Sequence, residues 1–459
     1  MIHRYQKKGL NFVLDVNSGA VHLLDDISYA VSGLIDENMT EKCPESVVEA
    51  LPQYAADDVR EAYGELYELK KAGQLFAQDD YIDVSRYIPV NAPVKALCLH
   101  VAHDCNLRCQ YCFASTGDFG QGRKIMPPEI AKKAIDFVIA RSGVRHNIEV
   151  DFFGGEPLMA WDTVTQTVDY ARSLEEKYNK KFRFTITTNG LLLDEDKRKY
   201  INENMDNCVL SLDGRREVND EFRKTVAGTG SYDTIVPKFK ALVDERDPNL
   251  DYYARGTFTS HNLDFAEDVL SIADAGFDRL SVEPVTADPG CGYDLTEDDL
   301  PKIEAEYDRL TDIMLERKKE GKPFTFFHFM VDLDQGPCVV KRLRGCGAGY
   351  EYVAVTPDGD IYPCHQFVGK DEFKQGSVLD QSFNMDIAQK FAGMNIYSRP
   401  KCQKCWAKFY CSGGCSAANY NMNHDMNDSY DLGCEMERKR LECAIYLKAM
   451  DKICANQSK

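Results

Sequence analysis

Between residues 95 and 285, short apolar runs recur at a steady spacing, and amphipathic stretches separate them. The runs are "KALCLHV" (95–101), "IEVDFF" (148–153), "RFTITT" (183–188), "CVLSLD" (208–213), "DYYARGTFT" (251–259) and "RLSVEPV" (279–285). Their length and their β-branched and aromatic content predict strands. The stretches between, such as "PPEIAKKAIDFVIARSG" and "FAEDVLSIADAG", place apolar residues at helical spacing. Six strand–helix units predict an α/β fold with a parallel sheet. Ligand sites in such folds lie at the C-terminal ends of the strands.

The flanking regions read differently. "FVLDV", the turn "NSG" and "AVHLL" predict a hairpin within residues 1–30, with Ser18-Gly19 as its turn signal. Helices follow over 45–75, the last closed by Gly73. Strands then helices in so short a span predict a small separate domain, residues 1–80. The stretch "AQDDYIDVSRYIPVNAP" reads as a linker, drawn at 81–94, before a main domain at 95–320. Beyond residue 336 the chain turns Cys- and Gly-rich and short of apolar residues. A hairpin is expected at "YVAVTPDGDIYPC", and residues 336–445 form a third domain whose core bound cofactors complete.

Composition narrows the function. A formal charge of −19 disfavours nucleic acid as a partner. No apolar run approaches the roughly 20 residues that span a bilayer, and the N-terminus lacks an apolar signal core, so a cytoplasmic protein is expected. Seventeen cysteines are unusual there, because disulfides rarely persist in that compartment. Metal or cluster ligation is the better reading.

The cysteines are patterned. "CNLRCQYC" spaces Cys105, Cys109 and Cys112 as C-x3-C-x2-C, just after the first predicted strand. A [4Fe–4S] cluster usually takes four thiolates, so three leave one iron open to a substrate. A zinc site with His103 as fourth ligand is the alternative. "CQKCWAKFYCSGGC" gives Cys402, Cys405, Cys411 and Cys415, flanked by Cys346, Cys364 and Cys434.

"CNLRCQYC", followed by "FFGGEP", "TTNG" and "SLDG" on successive strands, resembles the radical S-adenosylmethionine (SAM) superfamily over about residues 95–310. The resemblance implies a partial (β/α)6 barrel. It implies that Cys105, Cys109 and Cys112 hold a catalytic [4Fe–4S] cluster whose open iron binds SAM. Reduction then yields a 5'-deoxyadenosyl radical that abstracts hydrogen. It further implies that the Tyr111 backbone meets the adenine, that Gly154 and Gly155 let the chain approach the ligand, and that Glu156 accepts from the SAM ammonium. Thr188, Asn189 and Ser211 suit ribose and carboxylate contacts, and Arg223 is the expected bidentate carboxylate partner. Turn chemistry alone is the bland reading of Asn189-Gly190 and Asp213-Gly214.

The C-terminal cysteines resemble the SPASM extension, which holds two auxiliary [4Fe–4S] clusters and so brings the expected total to three. By that resemblance Cys402, Cys405, Cys411 and Cys434 hold the outer cluster, and Cys346, Cys364 and Cys415 the inner one. Either Cys338 or a substrate thiol completes the inner site. Cys43, Cys98, Cys208, Cys443 and Cys454 read as ordinary thiols, and Cys291 stays open. Residues 1–80 resemble the winged-helix-like, PqqD-related element that binds a leader peptide by strand addition.

Together these features resemble maturases that install Cys thioether crosslinks in ribosomally made Cys-rich precursor peptides, fed by a donor such as flavodoxin or ferredoxin. Two rivals stand beside that reading. One is a sulfatase-maturing-type or other radical peptide modifier. Its usual Asp after the inner-cluster Cys is His365 here, in "YPCHQF", where a structural hydrogen-bonding role is the bland alternative. The other is a non-catalytic, zinc-stabilised peptide-binding protein.

Overall fold

Residues 1–24 form an antiparallel meander of β1 (Ile2–Lys7), β2 (Leu10–Asp15) and β3 (Val21–Leu24). The central strand β2 is buried on both faces, which is why it reads as an apolar run rather than as an alternation. Val13 points into a local core with Val31, Val59, Tyr63 and Leu66, supplied by helices Asp26–Ser32 and Ala56–Lys71. Gly73, at φ +69°, ends the second helix as expected. On the other face Tyr5, Phe12 and Leu14 join the main core of the protein. The N-terminal module therefore has its own core but is not insulated from the rest.

The computed structural model describes residues 1–86, 92–333 and 339–457. The linker contains a helix, Tyr81–Arg86, and is anchored just before it. The Asp79 carboxylate accepts from Tyr397 Oη (2.5 Å) and Lys408 Nζ (2.6 Å) in the C-terminal region.

All six runs become strands: β4 (Ala96–His103), β6 (Asn147–Gly154), β7 (Lys181–Thr188), β8 (Asn207–Ser211), β9 (Asp251–Phe258) and β10 (Arg279–Pro284). Short β5 (Lys124–Ile125) pairs with β4, and β11 (Thr325–Phe326) extends the sheet past β10. The large sheet runs β11-β10-β9-β8-β7-β6-β4-β12-β13-β14, with β12 (Tyr352–Val355), β13 (Asp360–Tyr362) and β14 (Gly376–Ser377). Pairing is parallel from β11 to β12 and antiparallel beyond. The hairpin expected at "YVAVTPDGDIYPC" is β12–β13, yet β12 also pairs in parallel with β4, so the Cys-rich region continues the main sheet.

That region also has an apolar core, contrary to its reading as apolar-poor. Tyr350, Tyr362, Phe367, Phe373, Phe391, Met394 and Met426 pack together. They are scattered over loops, 3-10 turns, the end of β13 and the short helix Met385–Ala392, so no periodicity announced them. The last helix, Asp431–Gln457, runs beyond the expected boundary at 445 and lies along helix Leu300–Lys319. Lys439–Asp308 (2.7 Å) and Lys318–Asp451 (2.6 Å) pair across them. Among the described residues, no helix is long and apolar enough to cross a membrane.

Candidate functional site

The loop after β4 carries Cys105, Cys109 and Cys112 and is pinned from outside. Arg108 N and Gln110 N donate to the carbonyls of Lys224 (2.7 Å) and Phe222 (3.3 Å). The three thiols share one cavity of about 260 Å³ at the C-terminal ends of the barrel strands. Tyr111, Gly154, Gly155, Glu156, Thr188, Asn189, Ser211 and Arg223 line the same cavity. The whole expected cofactor set thus converges on one space.

The paired glycines have a backbone reason of their own. Gly154 sits at φ +129°, and a Cβ there would lie 2.2 Å from the Ala102 carbonyl oxygen. At Gly155 it would lie 2.1 Å from that of Asp104. Gly155 N and Glu156 N donate to those same carbonyls, at 2.7 and 2.9 Å. The end of β6 turns hard against the end of β4, and only glycine fits before any ligand is considered.

Glu156 ties the strand ends together. Its buried carboxylate accepts from Thr188 Oγ1 (2.7 Å), Asn189 N (2.8 Å) and Leu158 N (3.0 Å). Burial raises its pKa to about 7 against the pull of these donors. Asn189 Nδ2 donates to Asn106 Oδ1 (2.8 Å) and stands 3.6 Å from Cys105 Sγ. Asp213, fully buried, accepts from Tyr111 Oη (2.5 Å), Thr257 N (3.0 Å) and Arg223 Nη2 (3.0 Å). Burial works against the Arg223 charge, and Asp213 outweighs it. One edge of the Arg223 fork thus faces Asp213, with Nε 3.0 Å from Oδ2, and Nη1 and the second N–H of Nη2 remain for a ligand. Asn189 and Asp213 do more than shape turns.

Sequence reasoning missed the far wall of the cavity, which includes Phe113, Phe153, Arg255, Thr257, Glu283 and Gln366. The signal was present in the strands. On β9 and β10 alternate residues face inward, and Arg255 and Glu283 are charges within the strands rather than at their ends. Arg255 Nη2 donates to Glu283 Oε2 at 2.5 Å. His365 lies on this wall between Phe113 and Phe153, with ring centroids 5.4 and 5.0 Å away. Burial lowers its pKa to about 4, so the ring is neutral.

A second cavity, of about 210 Å³, is lined by Cys402, Cys405, Cys411 and Cys434, the four thiols expected to act together. Cys346, Cys364 and Cys415 are mutual electrostatic neighbours. Cys338 lies outside the described residues. Cys43, Cys98, Cys208 and Cys443 are buried, while Cys291 and Cys454 are exposed.

The donor sets fit iron–sulfur clusters. Burial pushes the Cys105 and Cys109 thiols up to about 12, and such thiols become thiolates when a metal centre holds them. Among the described residues no three His, Cys, Asp or Glu side chains close on a single metal ion.

Comparison with known proteins agrees. Residues 99–251 match the radical SAM superfamily, and residues 346–406 match SPASM, an iron–sulfur cluster-binding domain. A cysteine-type anaerobic sulfatase-maturating enzyme of Clostridium novyi is 25% identical over 354 residues, 72% of this chain and 90% of that one. The structure of anSMEcpe with AdoMet and the Kp18Cys peptide superposes with a TM-score of 0.63 at 20% identity, covering 78% of this chain and 99% of that one. Streptococcus suis SuiB bound to its precursor peptide SuiA gives 0.52 at 16% identity, covering 94% and 97%. The chain thus carries a radical SAM domain, which takes a [4Fe–4S] cluster and SAM, and a SPASM domain, which takes further iron–sulfur clusters.

Proposed function

We propose that this protein is a peptide maturase that forms Cys thioether crosslinks in a Cys-rich precursor peptide. The observation that carries the reading is the far wall of the reaction cavity. His365 and Gln366 line it, and they directly follow Cys364. A peptide segment in the cavity would thus lie against the inner auxiliary thiols, where a substrate sulfur must be held if it is to meet a substrate carbon.

When bound, the cluster and SAM supply hydrogen abstraction by a 5'-deoxyadenosyl radical. The chain's own groups bind and orient. Cys105, Cys109 and Cys112 hold the cluster. Glu156 offers a carboxylate to the SAM ammonium, and Thr188, Asn189 and Ser211 position ribose and carboxylate. Arg223 offers its remaining donors, and the Tyr111 backbone meets the adenine. Cys402, Cys405, Cys411 and Cys434 hold the outer cluster, and Cys346, Cys364 and Cys415 the inner one. Partly buried Phe153 and half-exposed Phe113 keep water from the inner wall.

The N-terminal module supports leader binding. The outer edge of β3 is unpaired among the described residues, and Leu23 beside it is exposed. Both suit an added strand. Sulfatase-type oxidation of a Ser or Cys side chain is the second reading, favoured by likeness to the Clostridium novyi enzyme. Against it, the residue after Cys364 is a neutral, half-buried His365 rather than a carboxylate.

The test is mass spectrometry of a Cys-rich peptide encoded beside the gene after anaerobic incubation with reconstituted enzyme, SAM and a reducing flavodoxin system. Each crosslink removes two hydrogens and blocks one thiol from alkylation. Loss of two hydrogens with every thiol still alkylatable (Ser oxidised), or replacement of one thiol sulfur by oxygen (Cys oxidised), would point to the second reading.

A further inference from the structure

Arg399 has cysteines of both auxiliary groups as electrostatic neighbours and is 2% exposed. It opens the short helix Pro400–Gln403, where its carbonyl accepts from Cys402 N at 3.0 Å. The guanidinium turns inward. Nη1 donates to the Gly413 carbonyl (2.7 Å) and Nη2 to Ser416 Oγ (2.9 Å), while Nε is buried without a partner. The pocket is fitted to it, since a Cβ on Gly413 would lie 2.2 Å from Nη1.

Both acceptors are neutral. Among the described residues no carboxylate pairs with Arg399. The other cations round the outer-site cavity are each matched: Lys401 with Asp428 and Asp431, Lys408 with Asp79, Arg438 with Glu435. The anion-forming groups within reach of Arg399 are Cys402 and Cys411 of the outer set and Cys415 and Cys346 of the inner one. A guanidinium does not lose its proton at working pH, and burying one without a counter-charge costs several kcal/mol. Four protonated thiols cannot offset that cost, whereas thiolate-ligated clusters on either side can.

We propose that Arg399 is the shared counter-ion of the two auxiliary clusters, a positioning residue that holds both at higher reduction potentials than their ligands alone would. A nearby cation favours the reduced, more negative state of each cluster. The proposal rests on the ligand assignment above. That assignment is tested separately by the iron content of the wild type, about twelve per chain if all three sites fill.

The experiment is an EPR-monitored reductive titration of reconstituted full-length enzyme, wild type against Arg399→Met and Arg399→Lys. In Arg399→Met both auxiliary signals should titrate lower, by at least a tenfold change in the oxidised-to-reduced ratio, about 59 mV for one electron. The catalytic cluster should not move, and Arg399→Lys should stay near the wild type. Unchanged auxiliary potentials in Arg399→Met, or a shift in only one cluster, overturn the proposal. If Arg399→Met fails to assemble, Arg399→Lys decides. Full iron at wild-type potentials supports the counter-ion. Loss of auxiliary iron there too assigns the effect to the hydrogen bonds with Gly413 and Ser416 and overturns it. Wild-type iron near four per chain would instead sink the ligand assignment itself.

Discussion

Phe12→Ala tests whether the N-terminal module can be separated from the catalytic body. Phe12 is fully buried, stacks on Tyr5 at 4.8 Å and meets Tyr446 of the last helix edge-on at 6.3 Å. Truncating a buried Phe costs about 3–5 kcal/mol through lost transfer energy and the cavity left behind. The two ring pairs account for about 0.5–1.5 kcal/mol each beyond area burial. Beside them, Lys7 reaches Asp308 and lies 3.2 Å from Cys443 Sγ, and His3 Nε2 is 2.9 Å from Glu442 Oε1. The substitution should therefore destabilise the body and not only the module. Anaerobic denaturant unfolding would be followed by far-UV circular dichroism and by cluster absorbance near 400 nm. Both transitions should move together to lower denaturant, because coincidence of probes marks one cooperative unit. A cluster transition that stays at its wild-type midpoint in Phe12→Ala would refute the reasoning. If the expected result holds, deleting residues 1–80 is an unsound test of leader binding, and Leu23→Glu beside β3 is the cleaner one.

Four further outcomes are expected. Replacing Cys105, Cys109 and Cys112 with Ala should remove about four of twelve irons and abolish SAM cleavage while both auxiliary EPR signals remain. Cys338→Ala should keep the wild-type iron content, since Cys346, Cys364 and Cys415 already group; a fall of about four irons would make Cys338 a ligand. Leu23→Glu should weaken binding of a fluorescent leader peptide by tenfold or more without changing peptide-independent SAM cleavage. Burial, aided by Arg440, lowers the pKa of His328 to about 3, below its unfolded value near 6.5. Here the unfolded chain binds the proton more tightly, so stability falls as pH drops from 6.5 towards 3, by about 1.4 kcal/mol per unit from this group. His328→Gln should flatten that part of the stability–pH profile measured by denaturant titration.

The barrel was legible because each strand is rich in apolar, β-branched or aromatic residues and most of the motifs close one. "CNLRCQYC", "GGEP" and "TTNG" all stand where a strand ends, so order along the chain gave order round the cavity. The far wall was not legible in the same way. Arg255 and Glu283 sit inside strands, opposite Ser281 and Thr257 respectively, and only the folded arrangement shows that their side chains reach each other diagonally. Docking of β12 on β4 was invisible, since both segments read as ordinary strands and nothing local names a partner so distant. The C-terminal aromatic core escaped because Phe367, Phe373 and Phe391 follow no period. Arg399 escaped for a related reason, as its isolation from any carboxylate is a fact of packing.

The pairing of β4 with β12 also bears on how the chain reaches its folded state. Lys95 N–H donates to the Glu351 carbonyl at 2.7 Å, and their side chains pair as well, 256 positions apart. Contacts so remote in sequence form late, because loop-closure entropy opposes them until much else is in place. Until the Cys-rich segment has been synthesised and laid down, β4 is the edge of a sheet, with most of one side of a mainly apolar strand unpaired. A chain truncated after β11 would keep that edge permanently. It is expected to aggregate where the full-length protein stays monodisperse in sedimentation, even though each catalytic cysteine remains present.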